Sequence, residues 1–503
     1  METGYFVRFL GYSVFLLLVY TAQGVLAEDW VYVLYSLLIL VVATTEIALL
    51  FKTNKSQALL SPIVLCTVFI FVFSYSLSNY LLFYSQSYQE LVDTYLGSGG
   101  IVNLNTALLY ANIAQLCMWL GYKMGTVTSL FYDFFSHTLG IGQLLKKKFV
   151  LNKKIIYVLY LLSVGVRLYL IKNNAFGYSA GTTGSATSIG LEYIEIFSLL
   201  GSLFKLCVWA LAMSDYLQQG RLSWLTIIIA VIELFFGLLS GFKSGFVYPV
   251  LLIVLAYLMT HRAVPKSAMI RFAFSITLAI NIGYFIIEPF RLLLSSSNAQ
   301  SSGIDYLTSS LSQSYTDNAK EGGENSITGN QAQSSSDGAL DVFMSRMNLT
   351  VWTALAVSKV AVVPEYVERA RIKEKMLNVP LLAWVPRPIW PDKPVHNSAL
   401  LFYQLIMGMG VDTNTAVTPG TIGYLLLGFE SPLIIIPVFI LLGILQRFLY
   451  QLLFQGGGGV ILYVGLLQSV VWVDEFTYSL IPFFKEIILL IVLQSIILKN
   501  NRH

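Results

Sequence analysis

Charge is what this chain has least of. Only 12% of its 503 residues are Asp, Glu, Lys or Arg, about half the share of a soluble domain, while 56% are hydrophobic. With a mean hydropathy of +0.70, the composition excludes a soluble enzyme and implies an all-α polytopic membrane protein. Cysteine is nearly missing. Cys66, Cys117 and Cys207 all fall in apolar runs, with no CxxC and no Cys/His cluster, so neither a disulfide framework nor a structural zinc is expected. The net charge of +4 gives no ground for a nucleic-acid partner. A Walker A sequence, HExxH and an Asp-x-Asp pair are all absent. ATP-driven transport and a metal-held nucleotide-sugar donor therefore have no support, and no cofactor or metal is expected.

What is present is apolar runs of spanning length. Twelve candidates lie near 10–27, 30–51, 59–81, 102–122, 155–171, 191–213, 222–239, 245–260, 272–289, 431–453, 458–473 and 479–498. With both termini cytoplasmic, the inner gaps hold Lys52 and Lys55, then Lys123, Lys146 to Lys148, Lys153 and Lys154, then Arg221, then Arg262, Lys266 and Arg271. The tail adds Lys499 and Arg502, whereas the short outer gaps carry only Lys172 and Lys243. The positive-inside rule therefore puts the long 290–430 interval outside. Three regions follow: nine spans in 1–289, a large outer loop over 290–430, and three spans in 431–503. Arg8, an apolar run and Val25-Leu26-Ala27 have the pattern of a cleavable signal, but the span opening at Trp30 follows at once, and a two-span hairpin is simpler.

The outer interval is heterogeneous. Residues 295–337 are rich in Ser, Asn, Gln and Gly and are expected to be disordered. A helix containing Arg346 is expected over 338–363, lying on the membrane or dipping into it, and Thr418 to Tyr424 leads into a short apolar run of re-entrant character. The interval holds 10 Lys/Arg against 12 Asp/Glu, so an anion site there must be local rather than a polyanion surface. Its densest feature is Trp384-Val-Pro-Arg-Pro-Ile-Trp-Pro-Asp-Lys-Pro-Val-His396. Pro386, Pro388, Pro391 and Pro394 each fix φ and extend the preceding residue, making a stiff loop. Trp384 and Trp390 suit a membrane–water boundary.

Cations at membrane depth are costly and functional by default. On this topology Arg167, Lys243, Arg291, Arg346 and Arg387 all reach the outer face from five separate segments. Together they can surround a diphosphate, which guanidinium groups match bidentately. The bland alternative is snorkelling or local pairing: equally apt for Arg167 and Lys243, and favoured for Arg346 beside Asp341. Arg291, next to Glu288-Pro289, and Arg387, between two prolines, favour function. Glu46, Glu192, Glu195, Lys205, Glu233, Lys485 and Glu486 fall in or beside spans and are mostly expected to pair within the bundle. For a base, His396 has the ordinary pKa best suited to taking a hydroxyl proton, with Asp392 and Glu288 as competitors.

The run Pro386-Arg-Pro-Ile-Trp-Pro-Asp-Lys-Pro394 resembles a Pro-Arg-x-x-Trp-Pro-x-Lys-Pro pattern of bacterial O-antigen and oligosaccharide repeat-unit polymerases of the Wzy type. About a dozen spans, one late outer loop and the Gly241-Phe-Lys-Ser-Gly245 turn fit the same setting, although the family typically shows Arg where this chain has Lys243. The resemblance implies a GT-C-like glycosyltransferase of the bacterial inner membrane. It joins oligosaccharide units carried on undecaprenyl diphosphate at the periplasmic face. Donor and acceptor are then both lipid-linked, with membrane lipids and a chain-length regulator as further partners. Arg291, Arg387, Lys393, Arg346, Lys243 and Arg167 are implied to stabilise the departing diphosphate, with His396, Asp392 or Glu288 as base and no metal. Three rivals stand beside it: an O-antigen ligase using lipid A-core as acceptor, a polyprenyl-monophosphate-sugar transferase using Glu28 and Asp29, and a flippase for lipid-linked oligosaccharide.

Overall fold

The computed structural model describes residues 3–80, 86–124, 151–173, 199–240, 243–261, 348–360, 418–429, 431–451 and 459–471, much of 265–279 and 486–497, and a few isolated positions. Among them the protein is helical, with no strand. Thirteen helices recur below. They are α1 (Thr3–Ala22), α2 (Glu28–Asn54), α3 (the helical run Pro62–Tyr80), α4 (Gln86–Leu96), α5 (Gly100–Lys123), α6 (Lys153–Lys172), α7 (Phe204–Gln219), α8 (Trp224–Leu239) and α9 (Lys243–Thr260). Then come α10 (Thr350–Val360), α11 (Gly420–Phe429), α12 (Ile435–Leu449) and α13 (Val460–Val471). Seven helical stretches are long and apolar enough to cross a membrane: Gly4–Ala22, Glu28–Lys52, Pro62–Tyr80, Gly100–Lys123, Lys153–Lys172, Leu199–Gln219 and Pro432–Leu449. All seven coincide with sequence-expected spans. Trp224–Leu239, Gly245–Thr260 and Ile270–Ala279 are apolar but shorter. Large apolar side chains face outward along α1, α6 and α8, including Phe6, Leu17, Val158, Leu161, Ile228 and Val231, as lipid contact requires. The chain is a helical membrane protein built as two compact units.

The first unit comprises 1–148, 333–384 and 394–492. Its interior is tied by side-chain amides. Asn105, Asn112 and Gln115 lie along one face of α5 and donate to the carbonyls of Glu28 (3.1 Å), Tyr35 (3.1 Å) and Ile39 (3.3 Å) on α2. The matched order of partners makes the two helices parallel. Such interhelical bonds hold helices together where lipid offers no competing partner. Ser61 bonds Tyr122 at 2.8 Å, joining the start of α3 to the end of α5. Over Thr67–Ser76, α3 widens into π-helical turns, and the Ser74 hydroxyl donates to the Phe69 carbonyl five residues back.

Helices α5 and α12 cross at two glycines. A Cβ on Gly121 would overlap the Ile440 carbonyl, and one on Gly443 would overlap the Met118 carbonyl. Small residues permit this backbone approach. Gly443→Leu is accordingly expected to collapse the yield of monodisperse protein in detergent chromatography, because neither backbone can yield. Gly11→Leu, at a site with nothing within 4 Å, serves as control. A normal elution profile for Gly443→Leu would contradict this packing.

Two short helices sit inside this unit. At 11 and 10 residues, α10 and α11 are about 15 Å long, half a hydrocarbon core. Buried residues run from Gly420 to Gly428 in α11, and comprise Thr350, Val351 and Thr353 to Ala356 in α10. Thr353 on α10 donates to the Pro419 carbonyl (2.8 Å), and Ala356 lies against Gly423, so the pair runs parallel. Polar contacts seat them. Asn348 bonds Asn79 (3.3 Å) and accepts from the amide of Val351, the Leu349 amide reaches the Ser74 carbonyl, and Tyr75 bonds Thr353 (2.9 Å). Gly420, with φ +71°, supplies the left-handed residue that opens α11. The α10 helix falls within the 338–363 stretch expected to be helical, and α11 follows Thr418, where an apolar run is expected. Arg346, Asp341 and 295–337 lie outside the described residues.

The second unit comprises 149–332, 385–393 and 493–503. Asp215, near the end of α7, accepts from Lys153 Nζ (2.9 Å), the Ser223 amide (2.9 Å), the Ser223 hydroxyl (2.6 Å) and the Thr226 hydroxyl (2.6 Å). One carboxylate thus joins the start of α6, the end of α7 and the first turn of α8, where Ser223 is the N-cap. Gly220, with φ +67°, closes α7 and lets the chain double back to that cap. Farther along, Tyr257 stacks on His261 at 4.0 Å between centroids, with Tyr216 and Phe272 edge-on to Tyr257.

Candidate functional site

Of the nine residues proposed from the sequence as catalytic or diphosphate-binding, two belong to the described residues: Arg167 and, by its backbone, Lys243. Arg291, Glu288, Arg346, Arg387, Asp392, Lys393 and His396 lie outside them. The candidate site in the structure is therefore the surround of Arg167 in the second unit.

Arg167 lies on α6, five residues before Lys172, and is 3% exposed. Its two terminal nitrogens donate to the two carboxylate oxygens of Glu233, each at 2.6 Å. Nε donates to the Ser163 carbonyl one turn back at 3.3 Å. The guanidinium carbon lies 4.1 Å from the Phe236 ring centre and 4.7 Å from that of Phe204. Ser163 in turn donates to the Gly201 carbonyl at 2.7 Å, and a Cβ at Gly201 would press the Arg167 side chain at 3.3 Å. Glu233 is 1% exposed on α8, six residues before Leu239. A buried carboxylate with a fork-on-fork partner and flanking aromatic faces is the arrangement that keeps both charges tolerable in a low dielectric.

Lys243 is the first residue of α9, four residues beyond the end of α8. The two helices touch at glycines: a Cβ on Gly237 would come within 2.5 Å of the Gly245 carbonyl oxygen. Lys205, on α7, places its ammonium 4.8 Å from the Tyr248 ring centre on α9. Three helices, α6, α7 and α8, thus converge around Arg167, and α9 packs on α8 at Gly237 in the hairpin that carries Glu233.

Two further buried carboxylates have a cation beside them, each through a single contact rather than a fork. Glu46 faces Arg8 at 3.5 Å, with the Tyr5 ring near both Arg8 and Lys123. Asp215 has Lys153. The expectation that intramembrane acids pair within the bundle holds for Glu46 and Glu233. The identity of Glu233 as the partner of Arg167 was missed, although a signal existed. Expected spans five and seven run in the same direction, and the two residues stand five and six positions from the ends of their helices, hence at matching depth. No protein family, curated protein or solved structure matches this chain.

Proposed function

We propose that this protein is a polymerase of lipid-linked oligosaccharide repeat units, acting at the periplasmic face of a bacterial inner membrane. The observation that carries the proposal is the Pro386-Arg-Pro-Ile-Trp-Pro-Asp-Lys-Pro394 run and its likeness to Wzy-type polymerases. Its support is chemical. Transfer of a glycan from undecaprenyl diphosphate passes through an oxocarbenium-like transition state while negative charge gathers on the departing diphosphate. Pro386, Pro388, Pro391 and Pro394 flank Arg387 and Lys393 in the sequence, and a chain so restricted is expected to lose little entropy on engaging a headgroup. Arg291, Arg346 and Lys243 come from segments that the positive-inside rule assigns to the same side. Enough cations around the leaving group stand in for a divalent metal. His396, or one of Asp392 and Glu288, takes the proton of the acceptor hydroxyl.

The choice of acceptor tests the proposal. Purified protein given only the undecaprenyl-diphosphate-linked repeat unit is expected to consume it as donor and acceptor. Transfer that begins only when lipid A-core is added would make the protein a ligase. Movement of the headgroup across proteoliposomes without any new glycosidic bond would make it a flippase.

A further inference from the structure

Arg167 and Glu233 meet with both carboxylate oxygens and both terminal nitrogens engaged, and the third guanidinium nitrogen is bonded to Ser163. The fork that would grip an anionic headgroup is already filled by an internal carboxylate, within a setting of Phe204, Phe236 and Gly201. Glu233 stands two turns before the end of α8, and Gly237 on the intervening turn packs against Gly245 of α9. Fixing Glu233 against α6 therefore fixes the end of the hairpin at which α9 begins with Lys243.

We propose that Arg167 is a positioning residue and not an anion ligand: with Glu233 it clamps α6 to the α8–α9 hairpin and so sets where Lys243 begins α9. The clamp rests on the contacts above; only its bearing on a lipid diphosphate rests on the proposed function. A pair of this kind is costly to break from one side, since the survivor is left as an unpaired buried charge, but it tolerates joint replacement by apolar residues. A headgroup ligand behaves otherwise, because its loss cannot be repaired by a change on a neighbouring helix.

The test combines thermal unfolding in detergent with binding of undecaprenyl diphosphate. Arg167→Met and Glu233→Leu are each expected to lower the folded-to-unfolded ratio about a hundred-fold or more, or to prevent recovery of folded protein. The double variant is expected to return most of that loss, a coupling that a double-mutant cycle reads directly. It should also bind undecaprenyl diphosphate within about two-fold of the parent, whereas Lys243→Ala binds about ten-fold more weakly. Three results would overturn the clamp: single variants as stable as the parent, a double variant no better than the singles, or a stable double variant that has lost binding. If the parent itself does not bind undecaprenyl diphosphate, the proposed function fails, and the unfolding cycle still decides the clamp.

Discussion

Asp215→Ala is expected to destabilise the second unit by about 3 kcal/mol or more, appearing as a fall in detergent melting temperature on the order of 5–10 °C. The magnitude follows from what the carboxylate holds. Four donors converge on it from two other helices: one charged, two hydroxyls and a backbone amide. Bonds to a charged acceptor are about twice as strong as neutral ones. Asp215 is 1% exposed, so water does not replace it easily when it is removed. Asp215→Asn retains an acceptor oxygen but not the charge and should cost less. Lys153→Ala should cost least, because the Lys153 side chain is 27% exposed and three neutral donors remain. That order, Ala above Asn above the lysine variant, distinguishes a converging hub from a simple ion pair, where Asp215→Ala and Lys153→Ala would cost alike.

Arg387→Ala is expected to lower the rate of glycan transfer about 100- to 1,000-fold while leaving the protein folded, the range seen when one preorganised donor to a developing anion is removed. A proline on either side in the sequence restricts the backbone available to Arg387 before substrate arrives, so the loss is expected to fall on turnover more than on binding. Arg387→Lys should recover only part of the activity, since an ammonium lacks the planar fork that pairs with two phosphate oxygens at once. Arg291→Ala belongs to the same class, with a smaller effect if Arg387 carries the leaving group. Full activity in Arg387→Ala would remove the loop from the chemistry.

The parts of this fold legible in the sequence are those that depend on hydropathy alone. A run such as Glu28–Lys52 has one state available in a bilayer, because every backbone polar group must be satisfied internally. The short elements α10 and α11 were visible as apolar stretches, but their burial was not. It depends on Asn79, Ser74 and Tyr75, some 270 residues away from Asn348 and Thr353 in sequence. The glycine crossing of α5 and α12 was hidden for the same reason: Gly121 and Gly443 acquire meaning only once the two helices are neighbours. Arg167 shows the limit most plainly. Its charge and depth marked it as unusual, yet nothing in the local sequence distinguishes a cation awaiting a phosphate from one already held by Glu233. Partner choice between helices is set by packing, and packing is written in many weak contacts rather than in a motif.

One measurement addresses the proposed activity most directly. Purified protein in detergent is incubated with a single undecaprenyl-diphosphate-linked repeat unit in EDTA, with no nucleotide sugar, and the products are resolved by length. A ladder of lipid-linked glycans, each one repeat unit longer than the last, is the predicted result. A single unextended species, at a protein concentration where the fold is intact by thermal melt, would contradict it.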